Sequence, residues 1–307
     1  MDRGAHPWIL TVPLFLVLAA TLEAIWLERR DGRYDWKAYF ASLGDLGLRT
    51  LSNLLPLGVA AGALSWLWQY RLYDMPLGHK WTWVVLFAGQ DFCYYWMHRA
   101  DHRVRWLWAT HSVHHSPNTL NLSAAYRLGW TARLSVAPVF FAPLVLAGFP
   151  PALIGAVLAA NLFYQFWLHA AWMPGLGPLE WVLNTPAHHR VHHGSNREYL
   201  DTNFGGVLIV FDRLFGTFAA ERPGVPIRYG LVHPIESNNP ITIGLHTWRQ
   251  ILHDVLAARS LRLALVAAFG SPGFWGSKTM KGVVTLPPGA TAAGAGAPAA
   301  PSERTNL

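Results

Sequence analysis

Ten of the 15 histidines in this 307-residue chain fall between residues 98 and 193, and they fall in four places. These are His98 and His102 in H-R-A-D-H; His111, His114 and His115 in H-S-V-H-H; His169 alone; and His188, His189, His192 and His193 in H-H-R-V-H-H. On an α-helix, residues i, i+3 and i+4 share a face. His98 and His102 therefore form one pair, and the H-x-x-H-H triplet occurs twice, as His111/His114/His115 and His189/His192/His193. Imidazole nitrogens bind first-row transition metals, and crowding such bases on shared faces brings no packing benefit. The spacing predicts a metal site. The other five, His6, His79, His233, His246 and His253, stand alone and read as surface or hydrogen-bonded residues.

The number of rings bears on the number of ions. A zinc takes about four protein ligands, or three and a water, so eight to ten histidines suit two metals. Cys93 is the only cysteine, which excludes iron–sulfur clusters, Cys-type zinc sites and disulfide frameworks. No Glu-x-x-His pair of the ferritin type occurs. The residues themselves leave two enzymatic readings: a redox-active pair of irons with positions open for O2, and two zincs performing hydrolysis. A metal transporter or sensor is a third, but its ligands would line a path through the bilayer, whereas these gather at one face.

The elements that must carry these rings are apolar. Hydrophobic residues make up 52% of the chain and charged residues 13%, about half the usual charged share. Apolar runs lie at 8–27, 48–69, 81–97, 134–149 and 152–168. The first is long and lacks a small-residue cleavage site, so it reads as an uncleaved span. The last two flank Pro150-Pro151 and are short for full crossings; they span or form a re-entrant hairpin, and either way their outer ends emerge on one side. The pattern predicts an all-α polytopic membrane bundle of about four to five apolar segments, with a cytoplasmic helical cap carrying the dimetal site. Arg29, Arg30, Arg33, Lys37 and Arg49 in 28–50, and Arg99, Arg103, Arg105, Arg127 and Arg133 in 98–133, outnumber Arg71 and Lys80 in 70–80. The positive-inside rule therefore places the N-terminus outside and the histidine clusters at the cytoplasmic face. The net charge of +7 is spread without a Lys/Arg-rich run, which suits an anionic membrane surface and not nucleic acid.

Polar residues inside apolar runs need partners. Asp91 lies two turns before His98 and is expected to hold the second N–H of a metal-bound ring. Tyr199, Asp201 and Asn203 are expected to orient the last triplet, and Asp212-Arg213 to form an ion pair that serves folding. Glu23 and Asn161 read as interhelical contacts.

The strings D-F-C-Y-Y-W-M-H-R-A-D-H (91–102), L-W-A-T-H-S-V-H-H-S (107–116) and T-P-A-H-H-R-V-H-H-G (185–194) come in that order. Y-L-D-T-N-F-G-G (199–206) and F-D-R-L-F-G-T-F (211–218) follow. Over residues 85–235 they resemble the fatty acid hydroxylase/sterol desaturase superfamily, nearest to its bacterial sterol desaturase-like and alkylglycerol monooxygenase-like branches. The resemblance implies an integral, multi-pass membrane di-iron oxygenase. Such an enzyme uses O2 and two external electrons to hydroxylate or desaturate a lipid taken from the bilayer. It places the metal-binding boxes on His98 and His102, on His111, His114 and His115, and on His189, His192 and His193. His169 matches an additional histidine of some members, and His188 is either a tenth ligand or a supporting residue. Two irons are the implied cofactor, with zinc a substitute in purified protein. No cytochrome b5-like haem motif accompanies the boxes, so a separate ferredoxin- or cytochrome b5-like donor is expected. Phe211 stands where the family often has Trp, a conservative exchange. The expected order is membrane spans over 1–84, the histidine-box catalytic domain over 85–235, an amphipathic region over 236–282 and a disordered tail over 283–307.

Overall fold

Prolines, caps and apolar runs set where the helices begin. The computed structural model describes residues 8–54 and 59–272; the expected tail at 283–307 and the last part of the amphipathic region lie outside them. Helix α1 (Trp8–Asp31) ends at Gly32, whose left-handed φ of 70° and amide bond to Glu28 O close the last turn. Asp35 then starts α2 (Trp36–Asn53) by accepting the Ala38 amide at 2.9 Å. Next come α3 (Val59–Leu67), α4 (Lys80–Arg103), α5 (Arg105–His114), the single turn α6 (Leu122–Ala125) and α7 (Ala142–Leu146). Pro151 occupies the first position of α8 (Pro151–Leu168), where its missing N–H is no loss. The short helices α9 (Pro186–His192) and α10 (Val210–Leu214) precede α11 (Pro240–Ala257) and α12 (Leu261–Phe269). Only isolated bridges, not strands, occur among the described residues.

Two helical segments, Thr11–Asp31 and Pro151–Leu168, are long and apolar enough to cross a bilayer. Only 17% and 22% of their most apolar windows are buried, so their side chains face outward, as exposed Leu14, Phe15, Leu18, Leu22 and Phe163 show. Helix α4 has 24 residues, about 36 Å at 1.5 Å per residue. It exposes Trp81, Trp83, Val84, Val85 and Phe87 in its first turns and buries Gln90, Asp91, Tyr94, Tyr95 and His98 further along. The run at 48–69 is not one element: α2 ends within it and α3 begins a new helix. The run at 134–149 yields only the apolar helix Ala137–Leu146, too short to cross. The described part of the amphipathic region expected over 236–282 is likewise divided, because Ser260 caps a new helix through the Leu263 amide.

One end of the bundle is made by two turns. Leu72 N donates to Leu146 O at 2.7 Å and Met75 N to Gly148 O at 3.3 Å. Gly148 has φ +100°, and a Cβ there would lie 1.9 Å from Tyr73 O, so only glycine fits. Helices α4 and α8 both leave this end, and both finish where the histidines are: His98 and His102 in the last turns of α4, His169 just after α8. A single extended residue, Val104, separates α4 from α5. Helix α11 clasps α5 through Arg105–Asp254 (2.6 Å) and Ser112–Thr247 (3.0 Å).

Candidate metal centre

Nine imidazoles from four helices meet at the opposite end, where α4 and α8 finish, in two groups. His98, His102, His111, His115 and His192 form one; His114, His169, His189 and His193 form the other. Within each group one nitrogen of every ring lies within 4.8 Å of the rest. The two triplets are shared crosswise. His111 and His115 stay together while His114 crosses to the second group, and His189 and His193 stay together while His192 crosses to the first. Helical geometry explains the exchange: i and i+4 are about 40° apart, whereas i+3 lies on the opposite flank. The groups adjoin through His115 and His193, whose rings stack at 4.3 Å and 24°.

Four rings are fixed from behind by the main chain. His98 Nδ1 donates to Phe204 O (2.9 Å), His114 Nδ1 to Arg127 O (3.2 Å), His169 Nδ1 to Gln165 O (2.9 Å) and His192 Nδ1 to Thr202 O (2.9 Å). A carbonyl can only accept, so each Nδ1 carries the proton and each Nε2 presents a bare lone pair. His114 Nε2 and His169 Nε2 nevertheless face each other at 3.3 Å. Two lone pairs cannot bond to one another; a cation between them reconciles the geometry. The Nε2 atoms of His102 and His192 are buried and meet no partner. Other ring pairs, His98–His111, His111–His115, His169–His189 and His189–His193, stand 3.0–3.1 Å apart. Ligands about 2.1 Å from one ion at angles near 90–110° are separated by about 3.0–3.4 Å. Both groups are therefore fit to hold a metal ion.

Burial also sets their charge. Desolvation, reinforced by neighbouring rings, holds His111, His115, His189 and His193 well below the usual imidazole range. Burial depresses His114 to about 3 and His192 to about 4. Neutral rings are what metal binding requires. Phe204 and Trp108 close over His102 at 5.2 Å each, keeping water from the first group.

The loop from Tyr199 to Thr217 is the common support. Asp201 and Asn203 adopt left-handed φ of 59° and 57°, conformations Asn and Asp tolerate better than most residues. Asn203 locks the bend: Nδ2 donates to His188 O and Ala219 O, and Oδ1 accepts the Ala219 amide. Asp212 accepts the amides of Phe204 and Gly205 at 2.7 Å each, plus the Thr217 hydroxyl. Asp91 accepts the amides of Val207 and Leu208 at 2.9 Å and Asn161 Nδ2 at 2.8 Å. Asn161 Oδ1 takes Gln165 Nε2, and Gln165 O takes the His169 ring, so α4, α8 and the loop form one polar network. Gly206 makes room for it, since a Cβ would stand 2.6 Å from Asp91 Oδ1 and Asn161 Oδ1.

Several supporting residues act otherwise than their spacing predicts. The hydrogen bonds of Asp91 run to loop amides and Asn161 rather than to an imidazole. Asp212 and Arg213 do not pair, because adjacent helical residues point apart; Arg213 donates to Glu180 O and stacks on Phe218 at 3.8 Å. Asp201 faces His102 of the first box at 3.7 Å, not the last triplet. Tyr199 accepts the Arg222 amide. His188 lies outside both groups, edge-on to Phe218 at 5.4 Å. Glu23, by contrast, does make the contact between elements expected of it, accepting from Leu122 N of α6 and from Trp172 Nε1. The carbonyls of Gln165, Arg127, Thr202 and Phe204 give no sequence signal, because every residue has one.

The family model for fatty acid hydroxylases matches residues 83–217. Among characterised proteins, the chain is 40% identical over 275 residues to alkylglycerol monooxygenase of Homo sapiens, covering 89% of this chain and 60% of that protein. It is 37% identical over 274 residues to the Xenopus tropicalis protein of the same name, 87% of this chain and 58% of that one. It is also 31% identical over 160 residues to the ornithine lipid hydroxylase OlsE of Rhizobium tropici, covering 52% of this chain and 48% of that one. The chain thus spans about 60% or less of the length of these relatives. No solved structure matches it.

Proposed function

Residues 83–217 make this chain a member of the fatty acid hydroxylase family, and on that premise we propose that it is a membrane-bound lipid hydroxylase. The overall reaction is R–H + O2 + 2e− + 2H+ → R–OH + H2O, with electrons from a ferredoxin- or cytochrome b5-like carrier. The five-ring and four-ring groups would each hold one iron, and a pair of irons supplies the O2-dependent redox chemistry that no side chain can. The protein's own part is positional. Main-chain carbonyls aim the rings, and burial keeps them neutral. The Asp91–Asn161–Gln165 network ties the loop to the helices that bear His98 and His169. The exposed apolar faces of α1, α4 and α8 meet lipid, which delivers the substrate laterally. We place the histidine end at the cytoplasmic face of a multi-pass bundle, because the basic residues concentrate there. The relatives are named a monooxygenase and a hydroxylase, which supports hydroxylation over desaturation and does not favour hydrolysis by zinc.

The carrying observation is the pair of buried ring groups, with His114 and His169 turning bare lone pairs toward each other at 3.3 Å. The test is purified, iron-loaded protein given membrane lipid extract, a reductant and 18O2. A lipid product carrying one 18O, formed only with iron and reductant, is the expected result. Hydrolysis products without O2 uptake, or zinc-dependent turnover, would overturn it.

A further inference from the structure

The segments at 182–184 and 207–209 pair with each other: Asn184 N donates to Val207 O at 2.8 Å and Ile209 N to Val182 O at 2.9 Å. Both lie beside the middle of helices, not beyond their ends. Tyr164 of α8 donates its hydroxyl to Asn184 O at 2.7 Å, and Asp91 of α4 takes the amides of Val207 and Leu208. Asn161, which donates to the same carboxylate, stands eight residues before His169, about 12 Å along α8 and close to its midpoint. Asp91 stands seven residues before His98, about 10 Å along α4. From the histidine groups the chain therefore turns back along the bundle. Helix α10 follows it there, with Phe211 on Phe92 at 5.5 Å and Phe215 on Trp96 at 5.1 Å.

The outer side of this element is apolar. Trp181 is 68% exposed and Leu214 72%, with Leu179 and Val182 open beside them. The charged side chains between them turn inward. Glu180 accepts the Leu176 amide and the Thr185 hydroxyl, and Arg213 lies between the rings of Trp181 and Phe218, at 4.7 and 3.8 Å, donating to Glu180 O. Exposed Phe92 and Trp96 join this surface to the apolar face of α4. The inner side is polar: Asp91, Asn184 and Asp212 take up main-chain groups of residues 204, 205, 207 and 208. Water satisfies such groups on an ordinary surface loop, whereas hydrocarbon cannot, and irregular backbone survives at membrane depth only where protein satisfies it. We propose that residues 179–184 and 205–214 form a re-entrant element that dips from the histidine end into the acyl-chain layer, with Leu179, Trp181, Val182 and Leu214 against lipid. The proposal rests on the membrane-bound reading of α8. The hydrocarbon layer then reaches the flank of the metal centre, so a lipid chain approaches the rings without first entering water.

The test measures depth, not turnover. The metal-loaded full chain is placed in nanodiscs of dioleoylphosphatidylcholine, both faces of which are open to solvent. A nitrobenzoxadiazole dye is attached in Trp181→Cys and in Leu214→Cys, and is quenched either by 12-doxyl phosphatidylcholine in the disc or by iodide in the buffer. Phe163→Cys, on the outer face of α8, is the lipid reference, and Arg197→Cys, exposed near the last box, is the water reference. Buried Cys93 takes no label. The dye at 181 and 214 should be quenched several-fold more strongly by the doxyl lipid than by iodide, as at 163 and opposite to 197. Leu214→Cys decides the matter if Trp181→Cys, which loses its stacking on Arg213, does not fold. Quenching by iodide puts the patch in water and quenching by neither puts it under protein; either result overturns the proposal. If 163 answers to lipid while 181 and 214 do not, the re-entrant element alone falls. If 163 itself answers only to iodide, the membrane-bound reading falls and takes the element with it.

Discussion

His98 donates its Nδ1–H to the carbonyl of Phe204, 106 residues further along the chain, at 2.9 Å. Through that bond the first histidine box is oriented by the loop that follows the last. The loop is itself held by Asp212, which takes the amides of Phe204 and Gly205. Ring position in α4 thus depends on a carboxylate that touches no histidine.

Asp212→Ala should therefore strip two buried amides of their acceptor, costing about 1–3 kcal/mol for each. Metal affinity should fall roughly 10–100-fold, the usual effect of removing support behind a ligand. Thermal unfolding and competitive metal titration measure the two effects. Asp212→Asn, which keeps one acceptor, should fall between. Unchanged affinity in the alanine variant would show that the loop does not aim His98.

Each ring group should lose its ion independently. His111→Ala and His193→Ala remove one ring from the five-ring and four-ring groups respectively, so each should lower the metal content from two toward one per chain. His188→Ala should leave two, because that ring belongs to neither group. Elemental analysis of purified variants decides, and equal loss from all three would argue against two separate sites.

Gly206→Ala should damage the junction between loop and helices. Its Cβ would press on Asp91 Oδ1 and Asn161 Oδ1 at 2.6 Å, and overpacking of this kind costs about 1–3 kcal/mol. Asp91→Asn turns one acceptor into a donor facing an amide, at a similar cost of about 1–3 kcal/mol. Chemical unfolding in detergent should rank both well below an exposed control such as Glu198→Ala.

Opposite ends of the bundle should be reached from opposite sides of a membrane. Asp74→Cys lies in the turn segment and Ser195→Cys beside the last box. In sealed vesicles a charged maleimide should label one from outside and the other only after permeabilisation. Buried Cys93 contributes no background. Labelling of both from the same side would remove the proposed topology.

The histidine spacing made the site legible because a helix converts i, i+3 and i+4 into neighbours. The crosswise division was legible in principle too: His114 and His192 are the i+3 members, and both change group. What the sequence hid was the support. Asp91 shares the helical period of His98, yet its partners are amides more than a hundred residues away. The runs at 48–69 and 134–149 show the limit of hydropathy, which registers apolar residues but not where a helix breaks. Asp201 was visible as a polar residue near the last box, but its left-handed bend turns it toward His102 and Arg103.

Thr202, Phe204, Gln165 and Arg127 steady the imidazoles with atoms every amino acid possesses. Swapping the side chain at Thr202 or Gln165 leaves that particular grip in place, provided the trace of the chain is kept. The vulnerable spots are instead the bends that draw the trace: the left-handed pair at 201 and 203, and the side-chain-free contact at 206. Drift in this molecule is thus constrained less by which residues flank the rings than by the curve they follow.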